Sequence, residues 1–119
     1  MKRTILIIED DIIFSRSISN WLRKNNMETE CVAQLSSARR KLSSGEYDLV
    51  LADLRLPDGN GIDLLRWMRK EGKMQPFIIM TDYAEVHTAV ESMKLGSIDY
   101  IPKQLVEDKL VPLIRSILK

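Results

Sequence analysis

Residues 49–61 read LVLADLRLPDGNG. Four apolar residues end on a lone carboxylate, Asp53, and a proline and two glycines follow within eight residues. A short continuous apolar run bounded by turn residues reads as a strand buried on both faces. Asp53 then stands at the carboxyl end of that strand. The run Pro57-Asp58-Gly59-Asn60-Gly61 turns the chain away from it, with the glycines expected to supply positive φ.

The same grammar repeats on either side. Residues 4–8 are apolar and β-branched and stop at Glu9-Asp10-Asp11. Phe14, Ile18, Trp21 and Leu22 then recur at helical spacing, with Asn25-Asn26 closing the helix. A weaker strand follows at residues 29–33, and a short helix is marked by Ala38 and Leu42 and closed near Gly45. The third strand covers residues 47–52, and a third helix residues 61–69. The fourth strand, residues 76–80, ends at Thr81; Val86, Ala89, Val90 and Met93 form a fourth helical stripe stopped by Gly96. A fifth strand spans residues 98–101, and Leu110, Leu113, Ile114 and Ile117 face one way on a last helix. Pro112 lies inside that pattern, so the helix is expected to start late, with Asp108 as cap, or to bend there. Five strands alternating with five helices predict an α/β fold with a parallel sheet and right-handed crossovers.

The 119 residues suit one domain with its own core. A net charge of +1 gives no electrostatic reason to expect nucleic acid or an anionic membrane as partner. Cys31 is the only cysteine, which excludes an internal disulfide and suits a reducing compartment. The apolar stretch at residues 5–8 is too short for a signal peptide or membrane span, so a cytoplasmic protein is expected. The basic residues Arg39, Arg40, Lys41, Arg66, Arg69 and Lys70 read as solvated faces. His87 has no second His or Cys partner on its helix and suggests no metal or catalytic role.

In open α/β sheets, ligands bind beyond the carboxyl ends of the strands, where the strand order reverses. Those ends carry Glu9, Asp10 and Asp11, then Asp53, then Thr81, with Lys103 after the last strand. Like charges gathered on one rim call for a cation. Oxygen ligands without His or Cys select Mg²⁺, or Mn²⁺, over Zn²⁺. A carboxylate can also attack phosphorus, with Thr81 and Lys103 placed to neutralise the transferring group.

At this point the chain resembles the receiver (CheY-like) domain of bacterial two-component response regulators, over residues 2–119. The resemblance rests on IIEDD, LADLRLPDGNG, IIMT and DYIPK in the family's order and spacing. It implies a flavodoxin-like, doubly wound five-stranded parallel sheet in the order 2-1-3-4-5, and one receiver domain over 1–119. It implies that Asp53 accepts a phosphoryl group from a cognate sensor histidine kinase, in a domain that assists its own phosphorylation and dephosphorylation and is not otherwise an enzyme. By the same match, Mg²⁺ is held by Asp10, by Asp53, by the backbone carbonyl of Arg55 and by Glu9 through water; Asp11 is a neighbour. Thr81 and Lys103 contact the phosphoryl group, and Tyr100 is the aromatic switch residue that moves with Thr81. The output is a change in the surface of the fourth helix, fifth strand and fifth helix, used for homodimerisation or to control a transcriptional output domain. The segment TDYAEVHTAVESMKLGSIDYIPK most resembles receivers of the nitrogen-regulation type, which usually precede a sigma-54-dependent ATPase and a DNA-binding domain. Neither lies in these residues, so an excised or stand-alone receiver with no nucleic-acid contact of its own is expected.

Three positions depart from the family's pattern. Gln104 follows Lys103 where proline, often cis, is usual, so the bond is either trans with a shifted loop or strained. Asp82 follows Thr81 where a small residue is usual, adding charge at the site mouth. Arg55 and Tyr83 are large at positions tied to phosphate lifetime, and are expected to screen the acyl phosphate from water. Gln104 and Asp82 together motivate an alternative, a degenerate receiver serving as a phosphorylation-independent interaction module. An aspartyl-nucleophile hydrolase fits poorly, because Arg55 replaces the second acid such enzymes need. Flavin binding is disfavoured by the three acids after the first strand, and no P-loop motif occurs.

Overall fold

The computed structural model describes residues 2–118. The strands of its main sheet are β1 (Thr4–Ile8), β2 (Glu28–Val32), β3 (Leu49–Asp53), β4 (Phe77–Thr81) and β5 (Asp99–Pro102), and the turn after β3 holds a further two-residue antiparallel ladder, Arg55–Leu56 with Gly59–Asn60. Its helices are α1 (Ile12–Lys24), α2 (Leu35–Ser44), α3 (Gly61–Lys70), α4 (Val86–Lys94) and α5 (Val106–Ile117). The five strands are all parallel, in the order β2-β1-β3-β4-β5. This is the flavodoxin-like, CheY-like topology expected from the sequence.

The side-chain alternation of the strands builds two cores. Leu6, Ile8, Val50, Ala52, Phe77 and Ile79 point to one face and meet Leu35, Ala38, Leu64, Leu65 and Met68 of α2 and α3. Ile5, Ile7, Leu49, Leu51, Ile78 and Met80 point to the other and meet Ile18, Leu22, Leu110 and Ile114 of α1 and α5. A strand covered on both sides has no polar face, which is why ILII, LVLA and FIIM read as unbroken apolar runs.

Local signals fix the helix ends. Asp11 caps α1, accepting from the Phe14 N–H at 3.1 Å, and Asn26 takes φ 66° beyond its carboxyl end. Asn60 and Asp63 form a reciprocal capping box on α3. Gly59 alone in the turn after β3 has positive φ, 147°; Gly61 is needed for a different reason. A Cβ on Gly61 would stand 2.6 Å from the Asp53 backbone oxygen, so close approach, not backbone handedness, excludes a side chain there.

The last helix does not start late, one of the two outcomes expected of Pro112. It begins at Val106, after a 3₁₀ turn over Lys103–Leu105, and continues through Pro112. Asp108 is therefore not its cap but lies in its first turn, where a carboxylate complements the helix dipole. Pro112 and Asp108 are both solvent-exposed, so water can take the carbonyl that the missing N–H leaves unbonded. No peptide bond among the described residues is cis, so Lys103-Gln104 is trans and the 3₁₀ turn carries the chain into α5.

Helix α2 has no cap of its own, since the Gln34 side chain makes no capping bond. Asp58, from the turn after β3, supplies it at long range, accepting from the N–H groups of Leu35 at 2.8 Å and Ser36 at 3.0 Å. Desolvation pushes the Asp58 carboxyl up, but these two N–H groups outweigh it and hold it below the usual 3.8. Its contribution to stability is thus present above that range and lost as pH falls through the depressed value. Asp58→Ala is expected to cost about 1 kcal/mol, with hydrogen-exchange protection lost first at Leu35 and Ser36. Undiminished protection there would show that α2 does not depend on the turn.

Candidate functional site

The carboxyl ends of β1, β3 and β4 lie side by side, so the residues that follow them share one rim. Asp53 pairs with Met80 across β3 and β4, and Thr81 with Pro102 across β4 and β5. Glu9, Asp10, Asp11, Asp53, Arg55, Thr81, Asp82, Tyr83 and Lys103 line one cavity of about 310 Å³. Sequence reasoning had named every one of these residues.

Lys103 occupies the centre. Its Nζ lies 2.6 Å from Glu9 Oε1, 3.2 Å from Asp53 Oδ2 and 3.7 Å from Asp82 Oδ2. It also stands 4.8 Å from the centre of the Phe14 ring. Glu9 and Asp53 are almost fully buried, whereas Asp82 is two-thirds exposed. Burial would push the Lys103 ammonium down, but Glu9 and Asp53 outweigh it and raise it. Burial drives the Glu9 carboxyl up to about 7, with Lys103 opposing and Asp53 adding to the rise.

The site fits a hard divalent cation. Carboxylate oxygens of Glu9, Asp10 and Asp53 all lie within 4.8 Å of one another. Glu9 Oε1 is buried and its one close polar partner among the described residues is the Lys103 ammonium. Clustered carboxylate oxygens with no His or Cys among them suit an ion such as Mg²⁺, which takes few carboxylates and keeps several waters. Asp11 is committed to capping α1, consistent with its place as a neighbour.

The remaining residues are tied into the adjoining loops. The Thr81 hydroxyl, 1% exposed, accepts from the Tyr83 N–H and donates to the Tyr83 carbonyl, both at 3.2 Å. The Tyr100 hydroxyl lies 2.7 Å from Thr88 Oγ1 and accepts from the Glu85 N–H at 3.4 Å, so it binds the first turn of α4. Arg55 reaches across the mouth to Glu85 at 2.9 Å. Sequence reading missed Phe14 beside Lys103, Glu85 opposite Arg55 and Thr88 opposite Tyr100. Phe14 carried only a helical-stripe signal, and the other two pairings depend on a loop path that no local pattern encodes.

A family model described as the response regulator receiver domain matches residues 5–115. The regulatory protein AtoC of Escherichia coli K12 is 37% identical over 106 residues, covering 89% of this chain and 23% of that protein. The transcriptional regulatory protein ZraR of Klebsiella oxytoca is 34% identical over 110 residues, covering 89% of this chain and 24% of that protein. The chain thus spans about a quarter of the length of these two relatives. The non-phosphorylated HemR receiver domain of Leptospira biflexa superposes with a TM-score of 0.89 at 33% identity, covering 99% of this chain and 96% of that one.

The Glu9 environment predicts an unusual pH dependence. Its carboxyl titrates near 7 when folded against 4.5 ordinarily, so the folded state binds the extra proton between those values. Metal-free protein should therefore lose stability as pH rises through that window. Urea unfolding with a chelator at about pH 5 and about pH 7.5 checks this. Glu9→Gln should remove most of the difference, and a wild-type curve as flat as the variant's would contradict the assigned burial of Glu9.

Proposed function

The chain belongs to the response regulator receiver domain family, and from that premise we propose that it is a Mg²⁺-dependent phosphoacceptor switch of a two-component system. The observation that carries the reading is the buried carboxylate of Asp53 at the carboxyl end of β3, paired to Lys103 at 3.2 Å in an acidic cavity that Thr81 also lines. A sensor histidine kinase supplies the phosphoryl group. Asp53 forms the new P–O bond as the bond from phosphorus to the donor breaks. Lys103 Nζ is placed to balance charge on the transferred group, and Thr81 donates its hydroxyl once it is free of Tyr83. Asp10, Asp53, the Arg55 carbonyl and, through water, Glu9 would hold Mg²⁺, which supplies a positive charge to offset that of the phosphoryl oxygens.

The output follows from how α4 is held. Only Ser92 of this helix is fully buried, while Val86, Val90 and Met93 face outward, 83%, 47% and 49% exposed. Its amino end is fixed through the Thr88–Tyr100 and Arg55–Glu85 contacts. Polar contacts of this kind exchange at small cost, so α4 is the element that a phosphoryl group on Asp53 can bias. The α4-β5-α5 surface would then dimerise or act on a transcriptional output domain. Arg55 and Tyr83, at the cavity mouth, would slow hydrolysis of the acyl phosphate. No described helix is long and apolar enough to cross a membrane.

Incubation with Mg²⁺ and phosphoramidate is expected to add one phosphoryl group by intact mass, removable by neutral hydroxylamine. Asp53→Asn should gain none. The double variant Arg55→Asn, Tyr83→Ala should lose the group faster than wild type. A folded wild type that binds Mg²⁺ and stays unmodified by every donor, kinase included, would favour the phosphorylation-independent interaction module.

A further inference from the structure

Strand β2 is an open edge of the sheet and pairs with β1 alone. The Glu28 N–H donates to the Arg3 carbonyl, and the Val32 carbonyl accepts from the Glu9 N–H. Residues of that parity face β1, so the N–H and C=O groups of Thr29 and Cys31 point away from the sheet. Among the described residues, no strand covers them. Two hollows of about 470 and 390 Å³ run along this edge beside α1 and meet at Arg23. Between them they touch every residue from Glu28 to Ala33, so the groove is as long as the strand.

The α1 side of the groove is cationic. Arg16 and Arg23 are both exposed, and neither pairs with a carboxylate among the described residues. Arg23 only donates from Nε to the Thr29 hydroxyl, at 3.1 Å. In this the two differ from Lys41, Arg55, Arg66 and Lys103, each of which holds an acid. Glu9 reaches the upper end of the groove but is engaged by Lys103. Glu28 and Glu30 border its lower end, yet their side chains belong to the opposite face of β2, where Lys41 holds Glu30.

We propose that β2 and α1 form a docking edge for an extended acidic segment of a partner protein, which adds to the sheet as a sixth strand. The backbone of that segment takes the outward N–H and C=O groups of Thr29 and Cys31. Its carboxylates, at alternate positions, lie over α1 and pair with Arg16 and Arg23. Those arginines are separated by roughly 10 Å of helix axis, a span that their long side chains match to carboxylates roughly 7 Å apart on one face of a strand. The intervening side chains of the segment are uncharged or basic, since they meet Glu28. A second copy of this chain does not fit. Pairing β2 with itself about a two-fold axis would set Glu28 and Glu30 of one copy among those of the other, and Arg16 and Arg23 likewise. The edge lies across the sheet from β5, so this docking is separate from the output surface and needs no phosphoryl group on Asp53.

The probe is a seven-residue peptide of alternating threonine and glutamate, blocked at both ends. Titrated into ¹⁵N-labelled protein, it should give saturable NMR shifts at residues 28–33 and at Arg16 and Arg23, and slow the exchange of the Thr29 and Cys31 N–H groups. Arg16→Gln and Arg23→Gln, exposed substitutions outside both cores, should each weaken binding roughly two- to fivefold. Salt at about 1 M should erase that difference. A peptide with glutamine for glutamate should bind several-fold more weakly. Methylating the peptide's backbone nitrogens at one alternate set of residues should abolish binding, and at the other set should not. Which set matters reports whether the added strand runs antiparallel or parallel. No saturable shifts up to millimolar peptide, shifts centred on another face, equal binding of the glutamine peptide, or the same response to both methylated sets would overturn the proposal. Shifts at β2 that grow with protein concentration alone would overturn it in favour of a second copy. Asp53→Asn should bind as wild type does, and a several-fold loss there would overturn the separation from the phosphoryl site.

Discussion

The Lys103 ammonium is the interaction on which the site depends. Two carboxylates, Glu9 and Asp53, are almost wholly withdrawn from water at the ends of adjacent strands. Like charges at that spacing cannot both stay ionised without a counter-charge. Lys103 provides one from the turn after β5, with Phe14 beneath it. One ammonium thus faces two buried carboxylates, with Asp82 a third and more distant one at 3.7 Å. A single positive charge does not offset the acidic cluster of Glu9, Asp10 and Asp53, and a divalent cation would complete the balance. A phosphoryl group on Asp53 would shift the balance again, because it brings more negative charge to the same ammonium.

The fold delivers this cluster through periodicity alone. Parallel strands buried on both faces must be apolar along their length, so polar residues collect at the carboxyl ends. Registers of one strand against the next then bring Asp53 and Thr81 to a common rim. This is why the architecture and the cavity lining were legible in the sequence: ILIIEDD, LVLAD and FIIMT each state both the strand and its terminal group.

What was not legible depends on loop paths. The capping of α2 by Asp58 joins residues 23 positions apart, and nothing near Leu35 signals it. The role of Gly61 was misread for a related reason, since its restriction is a 2.6 Å approach to a backbone oxygen and not a sign of φ. Pro112 misled on where the helix starts, because Pro112 and Asp108, whose carbonyl it leaves free, are both exposed to water although Leu110 and Val111 between them are buried. The Arg55–Glu85 and Thr88–Tyr100 contacts were invisible as well. These tie the site to α4, so the part of the molecule least evident in the sequence is the part that would carry the signal outward.

Among the five carboxylates of the cavity, Asp53 is the one proposed to take the phosphoryl group. Reduction with borohydride converts an aspartyl phosphate to homoserine and so records its position. Protein treated with Mg²⁺ and a phosphoryl donor, reduced and mapped by peptide mass spectrometry, should carry homoserine at residue 53. Homoserine at Asp10, Asp11 or Asp82 in place of residue 53, from protein shown by intact mass to be phosphorylated, would contradict the account.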